Sequence, residues 1–108
     1  MQIIKTKTYI KDLQKKIKNK HKKKEQETIE AIKELMIQSK NMQEVIINPL
    51  SRVYNIEKKQ GNLKEIYTAN INMKLRMYIK PIGEYPYKLE EIVEVELREI
   101  DDRHYGEG

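Results

Sequence analysis

The chain has 108 residues, 38% of them hydrophobic and 36% charged, and this length allows about one compact domain with a modest core. The absence of cysteine excludes disulfides, a thiolate nucleophile and cysteine-based zinc sites, and it favours the cytoplasm as the compartment. No apolar run reaches the length of a signal peptide or a membrane span, so we expect one cytoplasmic domain over residues 1–108 without membrane contact.

The net charge of +5 is unevenly distributed along the chain. Residues 1–24 hold ten lysines against Asp12 alone, a local charge of +9, whereas the remaining residues carry a charge of −4. Concentrated positive charge is typical of a protein that binds a polyanion, because each neutralised phosphate releases counterions. A solvated helix face explains the same pattern, so both interpretations stay open at this point.

The N-terminal half predicts one strand followed by two helices. Ile3 and Ile4 begin a short strand, and Thr8 is a suitable N-cap for a first helix over 8–19. The apolar positions of that helix lie three and four residues apart: Ile10, Leu13 and Ile17. A similar stripe predicts a second helix over 25–38: Ile29, Ile32, Leu35 and Met36.

The C-terminal half predicts three strands. Residues 41–60 stay unassigned, because Val45-Ile46-Ile47 fits either a strand or a helix and Asn48-Pro49 breaks both. A turn at 60–62 precedes a strand over about 63–70, and a hairpin leads to a strand over about 74–80 before a final strand that begins near 93. The order β-α-α-β-β-β predicts an α+β fold in which two helices pack on one face of an antiparallel sheet of about four strands.

Two helices on one face leave the other face of the sheet open, and we expect function there. Along 74–80 the side chains alternate, so one row faces outward: Lys74, Arg76, Tyr78 and Lys80. In the last strand the even positions share a face, and His104 has the same parity if that strand stays regular. Glu99 and Ile100 already indicate a phase change or bulge before it.

The predicted elements, together with two sequence segments, resemble the RelE/ParE superfamily of bacterial type II toxins over nearly the whole chain. The segments are Asn62-Leu63-Lys64-Glu65-Ile66-Tyr67 and Leu75-Arg76-Met77-Tyr78. The resemblance implies two N-terminal helices on a curved antiparallel sheet. It also implies that a cognate antitoxin protein neutralises the toxin, and that ribonuclease members bind the ribosomal A site and cut messenger RNA there.

Within the superfamily the chain is most similar to YoeB-like and HigB-like members. The YoeB-like pattern is a glutamate before the second strand, an arginine on the third strand and a terminal His-Tyr pair. The positions that match this pattern are Glu57, Arg76, His104 and Tyr105. The family's further basic positions fall on Gln60 and Asn70, and the lysines close enough in sequence to replace them in RNA binding are Lys58, Lys59, Lys64 and Lys74.

Metal-independent RNA cleavage needs a base for the ribose 2′-hydroxyl, a cation for the phosphate and an acid for the departing 5′-oxygen. We assign these roles to Glu57, Arg76 and His104, and the reverse direction of acid and base stays open. Tyr105 stacks on a nucleotide or packs at the rim of the helix layer. Glu57 has a simpler interpretation as a solvated acid, and Arg76 one as a cross-strand partner of an acidic residue, Glu94 or Glu96.

The predicted chemistry requires no metal or other cofactor. We also expect no metal site at the end of the chain, since Asp101, Asp102 and His104 lack the spacing of a recognised metal motif. His21 lies within the lysine run and is most simply a solvated residue. The favoured function is therefore a ribosome-dependent messenger ribonuclease whose partners are an antitoxin, messenger RNA and ribosomal RNA. Two alternatives are a ParE-like inhibitor of DNA gyrase without chemistry of its own and a catalytically silent relative that only binds RNA or ribosomes.

Overall fold

The structure is a computed structural model that describes residues 1–102. Its strands are β1 (Gln2–Lys5), β2 (Glu57–Lys58), β3 (Tyr67–Asn70), β4 (Arg76–Pro81) and β5 (Glu94–Asp101). Its helices are α1 (Lys7–Asp12), which continues as a π-helix (Leu13–Lys18), α2 (Lys23–Gln38), α3 (Met42–Ile47) and α4 (Leu50–Val53). Among residues 1–102, no helix is both long and apolar enough to cross a bilayer.

The five strands form one mixed sheet in the order β1-β5-β4-β3-β2. β1 runs parallel to β5, with Ile3 opposite Val95, and the other three pairings are antiparallel. The predicted α+β class is confirmed, and the sheet has one strand more than expected because β2 forms inside the unassigned segment. The sheet is mixed rather than wholly antiparallel as predicted, since β1 pairs in parallel with β5. The predicted strand over 63–70 is wrong at its start, since residues Gly61–Leu63 make a 3-10 turn and β3 begins at Tyr67.

The first helix differs from its prediction in start and phase. It begins at Lys7, and Thr6 rather than Thr8 is the N-cap, because the Thr6 hydroxyl accepts a hydrogen bond from the backbone N–H of Tyr9 at 3.0 Å. The core-facing positions are Tyr9, Leu13 and Ile17, whereas Ile10 is 52% exposed. Because the helix begins earlier and its second half is π-helical, the residues that face the sheet differ from those that regular α-helical spacing predicts.

Half of the unassigned segment is helical. Asn41 caps α3 by accepting a hydrogen bond from the backbone N–H of Glu44 at 3.0 Å, and Val45 is buried in the core. Capping therefore decides the ambiguous Val45-Ile46-Ile47 run in favour of a helix. The predicted stripe of α2 is confirmed, since its four apolar residues all lie in the core.

The predicted irregularity of the last strand is confirmed. Tyr78 pairs with Glu99 but the next residue of β4, Ile79, pairs with Leu97, which leaves Arg98 as the extra residue of a bulge. Before the bulge the buried residues have odd numbers, as in Val95 and Leu97, whereas after it the buried residue is Ile100. The prediction for His104 assumed that the last strand stays regular, and that assumption is wrong. His104 itself lies outside the described residues.

Tyr9 places a polar hydroxyl group in the hydrophobic core. Its side chain is fully buried, and its hydroxyl has no hydrogen-bond partner among residues 1–102. Burial, with a smaller contribution from Glu30, raises the pKa of Tyr9 to about 12. Because this value exceeds the ordinary tyrosine pKa of about 10, the folded state prefers the protonated phenol, and stability falls as the pH rises between these two values.

We expect Tyr9→Phe to raise the free energy of unfolding by about 1 kcal/mol at neutral pH, since it removes a buried hydroxyl without a partner. The variant should also lose less stability than the wild type between pH 10 and 12. Urea unfolding at pH 7, 10 and 11 measures both effects. A Tyr9→Phe protein that is less stable than the wild type at pH 7 would contradict the packing described here.

Candidate active site on the polar face of the sheet

Two cross-strand rows of residues lie on the sheet face opposite the main core. The first row runs through β2, β3, β4 and β5 as Glu57, Thr68, Tyr78 and Glu99. The second row runs through β3, β4 and β5 as Asn70, Arg76 and Asp101. We call this surface the polar face. Met77 and Ile79 point to its other side and are fully buried, which confirms the predicted alternation along β4.

The strand register places Glu57 and Arg76 on the polar face together. Glu57 lies opposite Thr68 and Arg76 opposite Asn70, so the two are two strands apart and offset by two residues. With strands about 4.8 Å apart and a rise of about 3.3 Å per residue, their Cα atoms are separated by roughly 12 Å. Thr68, which is only 1% exposed, and Asn70 lie between them on β3.

Glu57 keeps its carboxylate accessible on the short edge strand β2. Its side chain is 53% exposed, and its Oε1 lies 3.7 Å from the Nζ of Lys59, whose own side chain is mostly buried. The backbone N–H of Lys59 donates to the carbonyl of Ile66 at 2.9 Å, which fixes this lysine beside the carboxylate. The pair can therefore present one acid and one cation to an RNA backbone.

Arg76 is half-buried and held by its neighbour on β3. Its Nε donates a hydrogen bond to the Oδ1 of Asn70 at 3.3 Å. The alternative pairing with Glu94 or Glu96 is wrong, because Arg76 lies opposite Asp101 in the register. Asn70 was noted in the sequence only as a departure from the family's basic positions, and the structure gives it the role of orienting the arginine.

The four candidate lysines do not gather at one place. Lys59 lies beside Glu57, and Lys74 is exposed in the turn that precedes β4. Lys58 pairs with the core residue Tyr67, so it lies on the opposite side of β2 from Glu57. The Nζ atoms of Lys58 and Lys64 both lie over the ring of Tyr85. His104 and Tyr105 lie outside the described residues.

A cleft of about 450 Å³ opens on the polar face beside the first row. Its lining residues are Thr6, Thr8, Asn62, Leu63, Ile66, Tyr78, Arg98 and Glu99. Tyr78 was predicted to lie on an exposed row, but it is only 3% exposed. Alternation along β4 predicted the face of Tyr78 correctly and its exposure wrongly, because segments outside β4 line the cleft around it. Placing Glu99 on this face required the exact position of the bulge.

A dense group of lysines lies near the Arg76 end of the polar face. We call residues 18–24 the basic segment, and its lysines form no ion pair with any residue in 1–102. Lys16, just before it, donates from Nζ to the carbonyl of Ile100 at 2.7 Å, and Glu25, just after it, accepts from Asn72 at 3.0 Å. These contacts place the segment close to the end of β5 and to the turn before β4.

The basic segment has a defined backbone. The N–H of His21 donates to the carbonyl of Lys18 at 3.1 Å, and that of Lys22 donates to Ile17 at 3.1 Å. His21 adopts the left-handed conformation with φ of 53°, which ends the first helix before α2 begins. The segment therefore presents its positive charge from a folded turn.

The chain has an α+β fold that known structures share. Two solved structures match it over 94% of this chain and 91% of theirs. One is YafQ from E. coli strain BL21(DE3), with a TM-score of 0.66 and 16% identity. The other is a YafQ mutant from E. coli in which glutamine replaces a histidine, with a TM-score of 0.65 and 18% identity.

No protein-family model matches this sequence, and no curated protein matches it either. The structural likeness is therefore a likeness of fold at low sequence identity. It shows that this chain shares the fold of YafQ.

Proposed function

We propose that residues 1–108 are the toxin of a type II toxin–antitoxin system, a ribosome-dependent endoribonuclease that cuts messenger RNA in the ribosomal A site. One observation carries the proposal: the strand register aligns Glu57 and Arg76 on one face of a YafQ-like fold. An acid and a guanidinium at this spacing suit a single phosphodiester. The residues that would complete the site, His104 and Tyr105, come three and four positions after Asp101 in the sequence and lie outside the described residues.

In the proposed reaction, Glu57 removes the proton from a ribose 2′-hydroxyl, and the resulting oxyanion attacks the adjacent phosphorus. The bond from phosphorus to the 5′-oxygen breaks, and His104 donates a proton to that oxygen. The products are a 2′,3′-cyclic phosphate and a new 5′-hydroxyl. Arg76 offsets the charge on the pentavalent phosphate through two parallel N–H donors, and Tyr105 stacks on a neighbouring base.

The cognate antitoxin is the proposed protein partner, and covering Arg76 and the adjacent cleft would be sufficient to block the site. The basic segment supplies a second contact of the toxin, to ribosomal RNA. Lysine ammonium groups bind phosphates as point charges and do not read bases, so this contact would be independent of RNA sequence.

Arg76→Ala should lower messenger cleavage on translating ribosomes by about 10²- to 10³-fold, because it removes the group that stabilises the transition-state charge. Arg76→Lys, which keeps the charge and loses the paired donors, should recover only part of the rate. Primer extension on messenger from a translation reaction gives the rate and the cleavage position. Arg52→Ala is the matched control, since it removes an exposed arginine from α4.

Cleavage by Arg76→Ala at the rate of Arg52→Ala would contradict the proposed role of Arg76. Wild-type protein that binds ribosomes tightly and leaves messenger intact would indicate the catalytically silent alternative. DNA damage signalling after expression, with translation unaffected, would indicate gyrase as the target.

Replacing Lys20, Lys23 and Lys24 with glutamine should weaken ribosome binding and reduce its dependence on salt. The slope of log affinity against log salt concentration should become shallower by about 2 to 3, since each duplex phosphate contact contributes about 0.9. Sedimentation with ribosomes at several salt concentrations measures the slope. A control variant with Lys7, Lys40 and Lys88 replaced has the same net charge, and equal slopes for both variants would exclude a local contact.

A further inference from the structure

A group of basic and aromatic side chains lies at the β2 edge of the sheet, away from the Glu57–Arg76 pair. Lys58 Nζ lies 5.5 Å from the centre of the Tyr85 ring, and Lys64 Nζ lies 5.4 Å from it. Both distances are within the range in which the ring attracts an ammonium group. Two lysines from separate segments, β2 and the turn before β3, therefore meet on one ring.

The ring that holds these lysines is itself fixed. Tyr87 contacts Tyr85 edge to face, with 5.4 Å between the ring centres and an interplanar angle of 89°. The Tyr87 hydroxyl donates a hydrogen bond to the carbonyl of Glu65 at 2.8 Å, and burial raises the pKa of Tyr87 to about 12. Because this phenol keeps its proton at physiological pH, the bond ties the loop after β4 to the segment before β3.

Within the described part of the chain, no acidic side chain neutralises the two lysines. Neither Lys58 nor Lys64 forms an ion pair with any residue in 1–102, whereas their neighbour Lys59 is paired with Glu57. Attraction to the Tyr85 ring stabilises the position of each ammonium group. An anion that contacts both would complete the arrangement.

We propose that Lys58 and Lys64 form a phosphate-binding site for the RNA backbone, with Tyr85 as the residue that positions them. The proposal rests on the function above for the identity of the RNA. Glu57 and Lys58 are consecutive residues on opposite sides of β2, which is the last strand of the sheet. A single strand whose phosphodiester lies at Glu57 can therefore pass round this edge and reach the two lysines a few nucleotides away.

The site would bind the backbone without selecting bases. Lysine binds phosphate as a compact point charge, and the Tyr85 ring is already engaged by both lysines and by Tyr87. An acidic protein segment is the competing ligand for such a pair of charges. RNA is favoured because the lysines lie next to the strand that carries Glu57.

Tyr85 offers a matched pair of variants, since Tyr85→Phe keeps the aromatic face and Tyr85→Leu removes it. Both are made in the Arg76→Ala background so that cleavage does not consume the probe. The probe is a fluorescent single-stranded RNA of eight nucleotides, and binding is measured by fluorescence anisotropy. We expect Tyr85→Leu to raise the Kd by roughly 3- to 10-fold and Tyr85→Phe to stay within about twofold of the parent.

Replacing Lys58 and Lys64 with glutamine should raise the Kd at least as much as Tyr85→Leu. It should also make the salt slope shallower by about 1.4, at about 0.7 for each single-strand contact. A Lys40 and Lys88 double glutamine variant is the charge-matched control. The full chain is used throughout, and circular dichroism melting of each variant identifies any that fails to fold.

Three results would overturn the proposal. The first is equal RNA affinity for the Lys58/Lys64 variant and its control. The second is equal affinity for Tyr85→Leu and Tyr85→Phe when both are folded. The third is displacement of the RNA by polyglutamate at equal charge concentration, which would assign the site to an acidic protein. The assay needs neither ribosomes nor cleavage, so failure of the nuclease proposal is observed separately.

Discussion

The antiparallel pairing of β3 with both of its neighbours is the constraint on which the candidate site depends. Side chains alternate between the two faces of a sheet, so a slip of one residue in either pairing would separate Glu57 and Arg76 onto opposite faces. The same pairing places Thr68 and Asn70 between them. The shared position of Glu57 and Arg76 on the polar face therefore depends on this register.

The core holds that register from the other side of the sheet. Ala69, Met77 and Ile79 are all fully buried, and shifting either strand by one residue would bring these apolar side chains to the polar face. The turn between β3 and β4 adds a local restraint, because Asn72 Oδ1 accepts hydrogen bonds from the backbone N–H groups of Lys74 and Leu75 at 2.8 and 2.7 Å. Hydrophobic packing and turn geometry thus determine where the arginine lies.

Regular patterns in the sequence were sufficient to predict those elements in which the spacing of buried residues stays constant. The stripe of α2 and the alternation of β4 were predicted correctly because each obeys a single spacing over its length. The first helix changes to π-helical spacing at Leu13, so no single period describes it. β1 pairs with a strand about ninety residues away, and such a contact leaves no local signal.

The residues of the candidate site were also predicted only in part from the sequence. Glu57 and Arg76 were identified from the family resemblance, and alternation was enough to predict that Arg76 faces away from the core. Tyr85 was not identified, because it meets Lys58 and Lys64 only through the folding of a long loop against the β2 edge. Asn70 was missed as an orienting residue because its role depends on the pairing partner of Arg76.

The most direct test of the shared phosphodiester is a double-mutant cycle with Glu57→Gln and Arg76→Lys, read as the rate of messenger cleavage on translating ribosomes. If both residues act on one phosphate, their losses are coupled, and the double variant should cleave about as slowly as the worse single variant. Losses that multiply independently, or a Glu57→Gln protein as active as the wild type, would contradict the account.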